Sequence, residues 1–265
     1  MPCLIVGVLN ATPDSFSDGG RFASVDDAVA EGVRMVDEGA DWIDVGGEST
    51  RPGARVVPQD QEIARVVPVI AGLRARLGDR ARVSIDTYKS GTARAALAAG
   101  ATVVNDISGG LLDPAILEVA AAAAAGIVLG HLRGAPAQMM EAIAFTDVVA
   151  EVADELVARV AAARAAGCGE IWADPGIGFG KRAEQSLALL RGLTGLIARV
   201  GVPVMVGVSR KSFIGQLTGQ PANRRLFGTA AAVTASVLQG VAAVRVHDVE
   251  EMVDVVQVAQ ALKNA

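Results

Sequence analysis

Asp86, Asn105 and Asp174, each able to accept hydrogen bonds through oxygen, stand at the ends of short apolar runs, and the cations Lys211, Arg245 and His247 end or follow later runs of the same kind. Gathered in one deep pocket, such acids and amides suit a ligand whose edge carries several N–H donors, as an aminopyrimidinone or a pterin does. A carboxylate can accept two parallel N–H bonds from that edge, a strong bidentate geometry. Lys211 could donate to a ring carbonyl. Arg245 offers a flat guanidinium that can stack on a ring and also reach an anion. Asn10 and His247 would lie higher, beside an anionic group or a metal. Each residue also has a duller reading as a helix cap, a turn former or a solvated charge, since Asp after a strand commonly caps the next helix. Their recurrence at successive strand ends favours the shared pocket.

Regular elements must carry those positions. Apolar runs end in a polar residue near Asn10, Asp44, Asp86, Asn105, His131, Asp174, Ser209 and Arg245, mostly with helical stretches between them. This alternation predicts an α/β fold, a single (β/α)8 TIM barrel over residues 1–265 with the active site at the C-terminal ends of the strands. Strands are predicted at Leu4–Leu9, Trp42–Val45, Arg82–Ile85, Thr102–Val104, Ile127–Leu129, from Ile171 to Asp174, and at Pro203–Val206 and Val241–Val246. Helices are predicted near Val25–Val36, Glu62–Leu77, Ser90–Ala99, Pro114–Ala125, Asp147–Ala166, Glu184–Leu190, Thr229–Gln239 and Val249–Leu262. Ser24 with Asp27 resembles a capping box. Long polar loops follow the first two strands, and loops of that length are uncommon unless they are functional. After Asp174 the chain turns at once through Pro175 and Gly176 into a glycine-spaced loop that ends at Lys181.

Composition narrows the classes. The 265 residues are 51% hydrophobic but only 3% aromatic, so a large core must be built from Ala, Val, Leu and Ile. A net charge of −5 with scattered Lys and Arg argues against nucleic acid as a partner and leaves room for local anion sites. Cys3 and Cys168 are read as apolar fillers in a reducing cytosol. No basic-then-apolar leader precedes Leu4, and the run Ala120–Ala125 falls far short of the roughly 18 apolar residues of a membrane span. A cytoplasmic chain with no membrane partner is expected. For covalent catalysis there is no serine in a nucleophile elbow and no cysteine placed with a histidine. A Walker loop would need glycine at Pro175 and Ser or Thr at Arg182, while Gly176, Gly178 and Gly180 miss the dinucleotide spacing.

Seven segments, Gly7–Gly20, Asp44–Gly53, Ser84–Thr87, Asn105–Gly109, Asp174–Lys181, Ser209–Phe213 and Arg245–Asp248, occur in an order that carries a family resemblance. From Val6 to about Val256 the chain resembles the dihydropteroate synthases of the pterin-binding family. The resemblance implies condensation of 6-hydroxymethyl-7,8-dihydropterin pyrophosphate with p-aminobenzoate, through a carbocation-like pterin, to 7,8-dihydropteroate and pyrophosphate. It implies a pterin site of Asp86, Asn105, Asp174, Lys211 and Arg245, with Asp86, Asp174, Lys211 and Arg245 catalytic. Asn10, Thr50, Arg245 and His247 would bind the diphosphate, and Asn10 would ligate Mg²⁺. Phe16, Arg51, Pro52, Phe179 and Ser209 would shape the p-aminobenzoate slot. A homodimer and a sulfonamide target are also implied.

Two departures stand out. The chain starts almost at the first strand where many relatives carry a longer lead-in, which leaves the sealing of the barrel bottom open. Gly130 and Leu132 stand where the family often has Met. The rival readings are a pterin-barrel methyltransferase acting on methyltetrahydrofolate, for which the Asn10–Gly20 loop has no use, and a silent pterin-binding paralogue, which would be expected to lose polar residues. A phosphate-sugar barrel enzyme would not need the Asp86, Asn105, Asp174 grouping.

Overall fold

The computed structural model describes residues 2–11, 24–50, 54–134, 136, 138–139 and 144–264. The strands are β1 (Leu4–Asn10), β2 (Trp42–Gly46), β3 (Arg82–Asp86), β4 (Val103–Asp106), β5 (Gly126–Gly130), β6 (Ile171–Asp174), β7 (Met205–Val206) and β8 (Ala243–Val246). They pair in the order β6-β5-β4-β3-β2-β1-β8-β7, all parallel. A parallel bridge between Ala173 and Val204 joins the two ends of the sheet into a ring. Helices alternate with the strands: α1 (Val25–Asp37), α2 (Gln59–Leu77), α3 (Ser90–Ala98), α4 (Ala115–Ala122), α5 (Val148–Ala165), α6 (Ala183–Arg191), α7 (Leu193–Val200), α8 (Ser212–Thr218), α9 (Leu226–Leu238) and α10 (Val249–Asn264). The expected (β/α)8 barrel is the fold.

Period-two alternation sorts each strand into two faces. Ile43, Val45, Val83, Ile85, Val104, Ile127, Leu129, Ala173, Val206, Val244 and Val246 join helix side chains in the large core. Their neighbours Val6, Trp42, Val103, Val128, Trp172, Met205 and Ala243 form a separate cluster inside the ring. One step further along the same inward face the residue type turns polar, at Asp44, Asp86, Asn105, Asp174 and Arg245. Most strands therefore read as apolar runs until they reach the mouth; β3, with Arg82 and Ser84 on the face that carries Asp86, is the exception.

The lower interior is closed by aromatic packing. Trp42 and Trp172 meet edge to face with centroids 5.2 Å apart, and the Arg82 guanidinium lies 4.7 Å from the Trp42 ring centre. Arg82 grips Glu170 through both terminal nitrogens at 2.7 and 2.9 Å, and Glu170 also accepts from Trp172 Nε1 at 2.8 Å. These contacts fill the base from the strands themselves.

Several boundaries differ from expectation. β7 is only two residues long, because Pro203 brings no N–H to the ladder. α7 was not expected; Leu193, Leu196 and Val200 bury one stripe of it, and Gly201 ends it at φ +68°. The short α8 is likewise not among the expected helices. α4 stops before Ala125 and α9 starts before Thr229. Ser24 Oγ does cap α1, accepting from Asp27 N–H at 3.2 Å.

Candidate active site

Strand register brings the mouth residues together. Gly46 lies beside Asp86, and Asp86 beside Asn105. Asn10 ends β1 opposite Gly46. A Cβ on Gly46 would stand 3.6 Å from Asp86 Oδ2 and 3.9 Å from Asn10 Oδ1, so the glycine keeps a gap between those two side chains.

Asp44, buried one turn of the pleat below, organises the polar set. Its Oδ2 accepts from Asn105 Nδ2 at 2.8 Å and from Arg245 Nε at 2.6 Å, and its Oδ1 accepts from Ser84 Oγ at 2.6 Å. Arg245 also donates to Asp86 Oδ2 at 2.7 Å. Two consequences follow. The Asn105 amide nitrogen is engaged by a carboxylate, which leaves its oxygen as the end to offer a ligand. Among the described residues, buried Oδ1 of Asp86 meets no hydrogen-bond partner. A buried acceptor without a donor needs one, and a ligand N–H would supply it.

Asp174 combines the dull and the functional readings. Its Oδ1 accepts from Gly176 N–H at 2.7 Å and so caps its own turn, while no described residue donates to its other oxygen. Gly176, Gly178 and Gly180 all adopt positive φ, the conformation that lets the 175–180 loop coil tightly. On the far side, Lys211 holds its ammonium 3.8 Å from the centre of the Phe179 ring. Arg210, at φ +58°, pairs with Asp248 through Nε at 3.1 Å. Ser209 Oγ accepts from His247 N–H at 3.2 Å and lies 3.0 Å from its Nδ1, so the loops after β7 and β8 are tied together.

Burial dominates the electrostatics. It raises Asp86 to about 7, against the pull of Arg245 and with the Asp44 charge adding to the rise. It also raises Asp174, against the Gly176 hydrogen bond and the nearby Lys211. Burial lowers Lys211 to about 8 although Asp174 favours its charge. It works against Arg245 too, yet Asp44 and Asp86 hold that guanidinium above its ordinary range. Desolvation disfavours every charge here, and the fixed partners restore part of it.

Asp86, Asn105, Asp174, Lys211 and Arg245 thus converge at the mouth, with Phe179, Ser209 and His247 at its rim. Asn10 is exposed at the end of β1, and Thr50 is half-buried. Phe16, Arg51 and Pro52 lie outside the described residues. Asp44 carried no role in the sequence reading. The available signal was parity: it shares a face of β2 with Trp42 and Gly46 and pairs in register with Ser84.

The pterin binding enzyme family model matches residues 6–247. The chain belongs to the pterin binding enzymes. Over 261 residues it is 47% identical to the dihydropteroate synthase of Synechocystis, a match that covers 97% of this chain and 89% of that protein. A Yersinia pestis dihydropteroate synthase solved with a sulfonamide drug superposes with a TM-score of 0.93 at 37% identity, covering 100% of this chain and 95% of that one. A Xanthomonas albilineans dihydropteroate synthase solved with 4-aminobenzoic acid gives 0.91 at 43%, covering 100% and 94%. The resemblance read from the seven segments is borne out at the level of the family.

Proposed function

We propose that this barrel is a dihydropteroate synthase of folate biosynthesis, a transferase that joins 6-hydroxymethyl-7,8-dihydropterin pyrophosphate to p-aminobenzoate and releases pyrophosphate. The observation that carries the reading is Asp86 Oδ1, without a partner among the described residues, beside an Asn105 amide turned to present its oxygen. Asp86, Asn105 and Asp174 accept N–H bonds from the pterin edge, Lys211 donates to the ring carbonyl, and Arg245 covers the ring face. The bond from the exocyclic methylene carbon to oxygen breaks, and its electron pair leaves with the diphosphate. Asp86 and Asp174 favour the positive charge that develops on the methylene and spreads into the ring, a fixed electrostatic contribution. The arylamine nitrogen attacks with its own lone pair and then loses a proton, so no strong base is needed.

Asn10, Thr50, Arg245 and His247 bind the diphosphate. Phe179 and Ser209, with Phe16, Arg51 and Pro52, shape the arylamine slot. Asn10 also suits Mg²⁺: its exposed amide lies across the Gly46 gap from Asp86, and this cation takes one or two protein oxygens while keeping waters and phosphate oxygens. When bound, the ion supplies Lewis-acid neutralisation of the leaving group. Residues 1–265 act as one unit. The unit is cytoplasmic, where buried Cys3 and Cys168 stay reduced, and it pairs as a homodimer through exposed apolar side chains such as Phe227 and Leu238.

The test is pyrophosphate release from the pterin diphosphate with and without p-aminobenzoate. Saturable dependence on both substrates is expected. Release that ignores p-aminobenzoate, or no release at all, overturns the proposal.

A further inference from the structure

A second buried polar chain lies behind the 175–180 loop, and the reaction described above does not use it. Lys181, buried at the foot of the loop, brings its Nζ to 3.0 Å from Gly176 O, 3.0 Å from Phe179 O and 3.3 Å from His131 O. The same nitrogen stands 3.0 Å from His131 Nδ1. Carbonyl oxygens can only accept, and a lysine ammonium can only donate. Burial lowers Lys181 to about 7 although Asp174 favours its charge, yet every near neighbour is arranged for the ammonium form.

The histidine tautomer follows from this. Burial first, then the charges of Lys181, Arg159 and Arg133, push His131 down to about 2, so its ring is neutral. With Nδ1 accepting from Lys181, the ring proton sits on Nε2 and is donated to Glu155 Oε2 at 3.0 Å. Glu155 in turn accepts from Arg133 Nε at 2.9 Å. An unbroken chain of polar contacts therefore runs from α5 to the carbonyls of the loop.

The loop backbone packs closely at Gly176. A Cβ on Gly176 would fall 2.0 Å from His131 O, and one on Gly178 would fall 3.3 Å from Lys211 Cδ. Lys181 donates to the Gly176 and Phe179 carbonyls, and the Phe179 side chain packs on the Ile107, Leu132 and Met139 cluster with the Lys211 ammonium over its ring. We infer that Lys181 is a positioning residue for the arylamine substrate: it acts through the carbonyls of the 175–180 loop to hold Phe179 in place. This inference rests on the reading of Phe179 as a wall of the arylamine slot.

The test is steady-state kinetics on Lys181→Met, which keeps the unbranched length and removes the donors, on Phe179→Leu, and on the double variant. A displaced wall spoils reactant alignment, where small shifts are costly. Lys181→Met is expected to raise KM for p-aminobenzoate about tenfold while KM for the pterin diphosphate changes less than about threefold. In the Phe179→Leu background the same substitution should add less than about twofold, because residues acting through one another are not additive. Equal changes in both KM values, or a full tenfold effect in both backgrounds, overturns the inference. Should Lys181→Met not fold, Glu155→Gln loosens the outer end of the chain at a partly exposed site. A rise of about threefold confined to KM for p-aminobenzoate is then expected, and an unchanged value counts against the inference. Failure of the wild-type protein to release pyrophosphate would instead sink the underlying reading.

Discussion

A buried carboxylate does different work according to which of its oxygens is already engaged. Asp44 has both oxygens committed to Ser84, Asn105 and Arg245, and so orients its neighbours. Asp86 has one oxygen on Arg245 and one that meets no donor among the described residues, and so is ready for a ligand. This difference sets a pH dependence. With Asp86 raised to about 7 by burial, a proton occupies the empty site below that pH, and a ligand N–H must displace it. Pterin affinity should therefore fall as pH drops through about 7, by up to about tenfold per unit. Asp174 is raised by burial as well. Above about 8 Lys211 loses its positive charge, and its hydrogen bond to the ring carbonyl loses its charge assistance. Calorimetric titration with a pterin should show tightest binding between about 7 and 8. Asp44→Asn removes a charge that raises Asp86, so its acidic limb should move to lower pH; an unmoved limb would show that Asp44 does not tune the site.

At the scale of the element, the loop after β6 shows how conformation and function are joined. Gly176 has φ +65° and backbone 2.0 Å from where a Cβ would stand, whereas the nearest neighbour of Gly178 is the flexible stem of Lys211. Gly176→Ala should lower the unfolding free energy by about 1–3 kcal/mol or more, from left-handed strain alone, with the clash in addition. Gly178→Ala carries the same kind of strain but a yielding neighbour, so it should destabilise less and act mainly on the Lys211 position. Urea unfolding of the two variants side by side would separate them; equal losses would argue against a backbone clash at Gly176. The helices teach a related lesson about what a pattern can reveal. α7 begins immediately after α6, with Gly192 alone between them, and α8 has seven residues. Both are shorter than the window of about 11 residues over which a helical period is distinguished.

Across the whole molecule, stability and chemistry occupy different storeys of one barrel. Apolar residues from seven strands fill the base, where Trp42 and Trp172 meet and Arg82 and Glu170 pair at the rim. The polar set lies further along the same inward faces. Trp172→Ala should cost about 3–5 kcal/mol, the usual price of emptying a large aromatic site, as read by denaturant titration. At low temperature its KM for either substrate should stay close to that of the wild type, since Asp174 is reached from Trp172 only through the strand. A large change in KM without loss of stability would mean that base and mouth are not separable in this way.

Much was legible in the linear chain because a strand buried on both faces must be apolar until it reaches the mouth. Eight such runs, each with a polar end, announce a ring of strands and the types of side chain that crown it. What the chain alone could not decide is how those side chains share their hydrogen bonds. Arg245 lies 201 positions from Asp44 and 159 from Asp86, yet donates to both, and among the described residues these contacts leave one oxygen of Asp86 without a donor. Such an allotment depends on closure of the ring to within hydrogen-bonding distance, and a hydrogen bond is a short-range bond between atoms, indifferent to their separation along the chain.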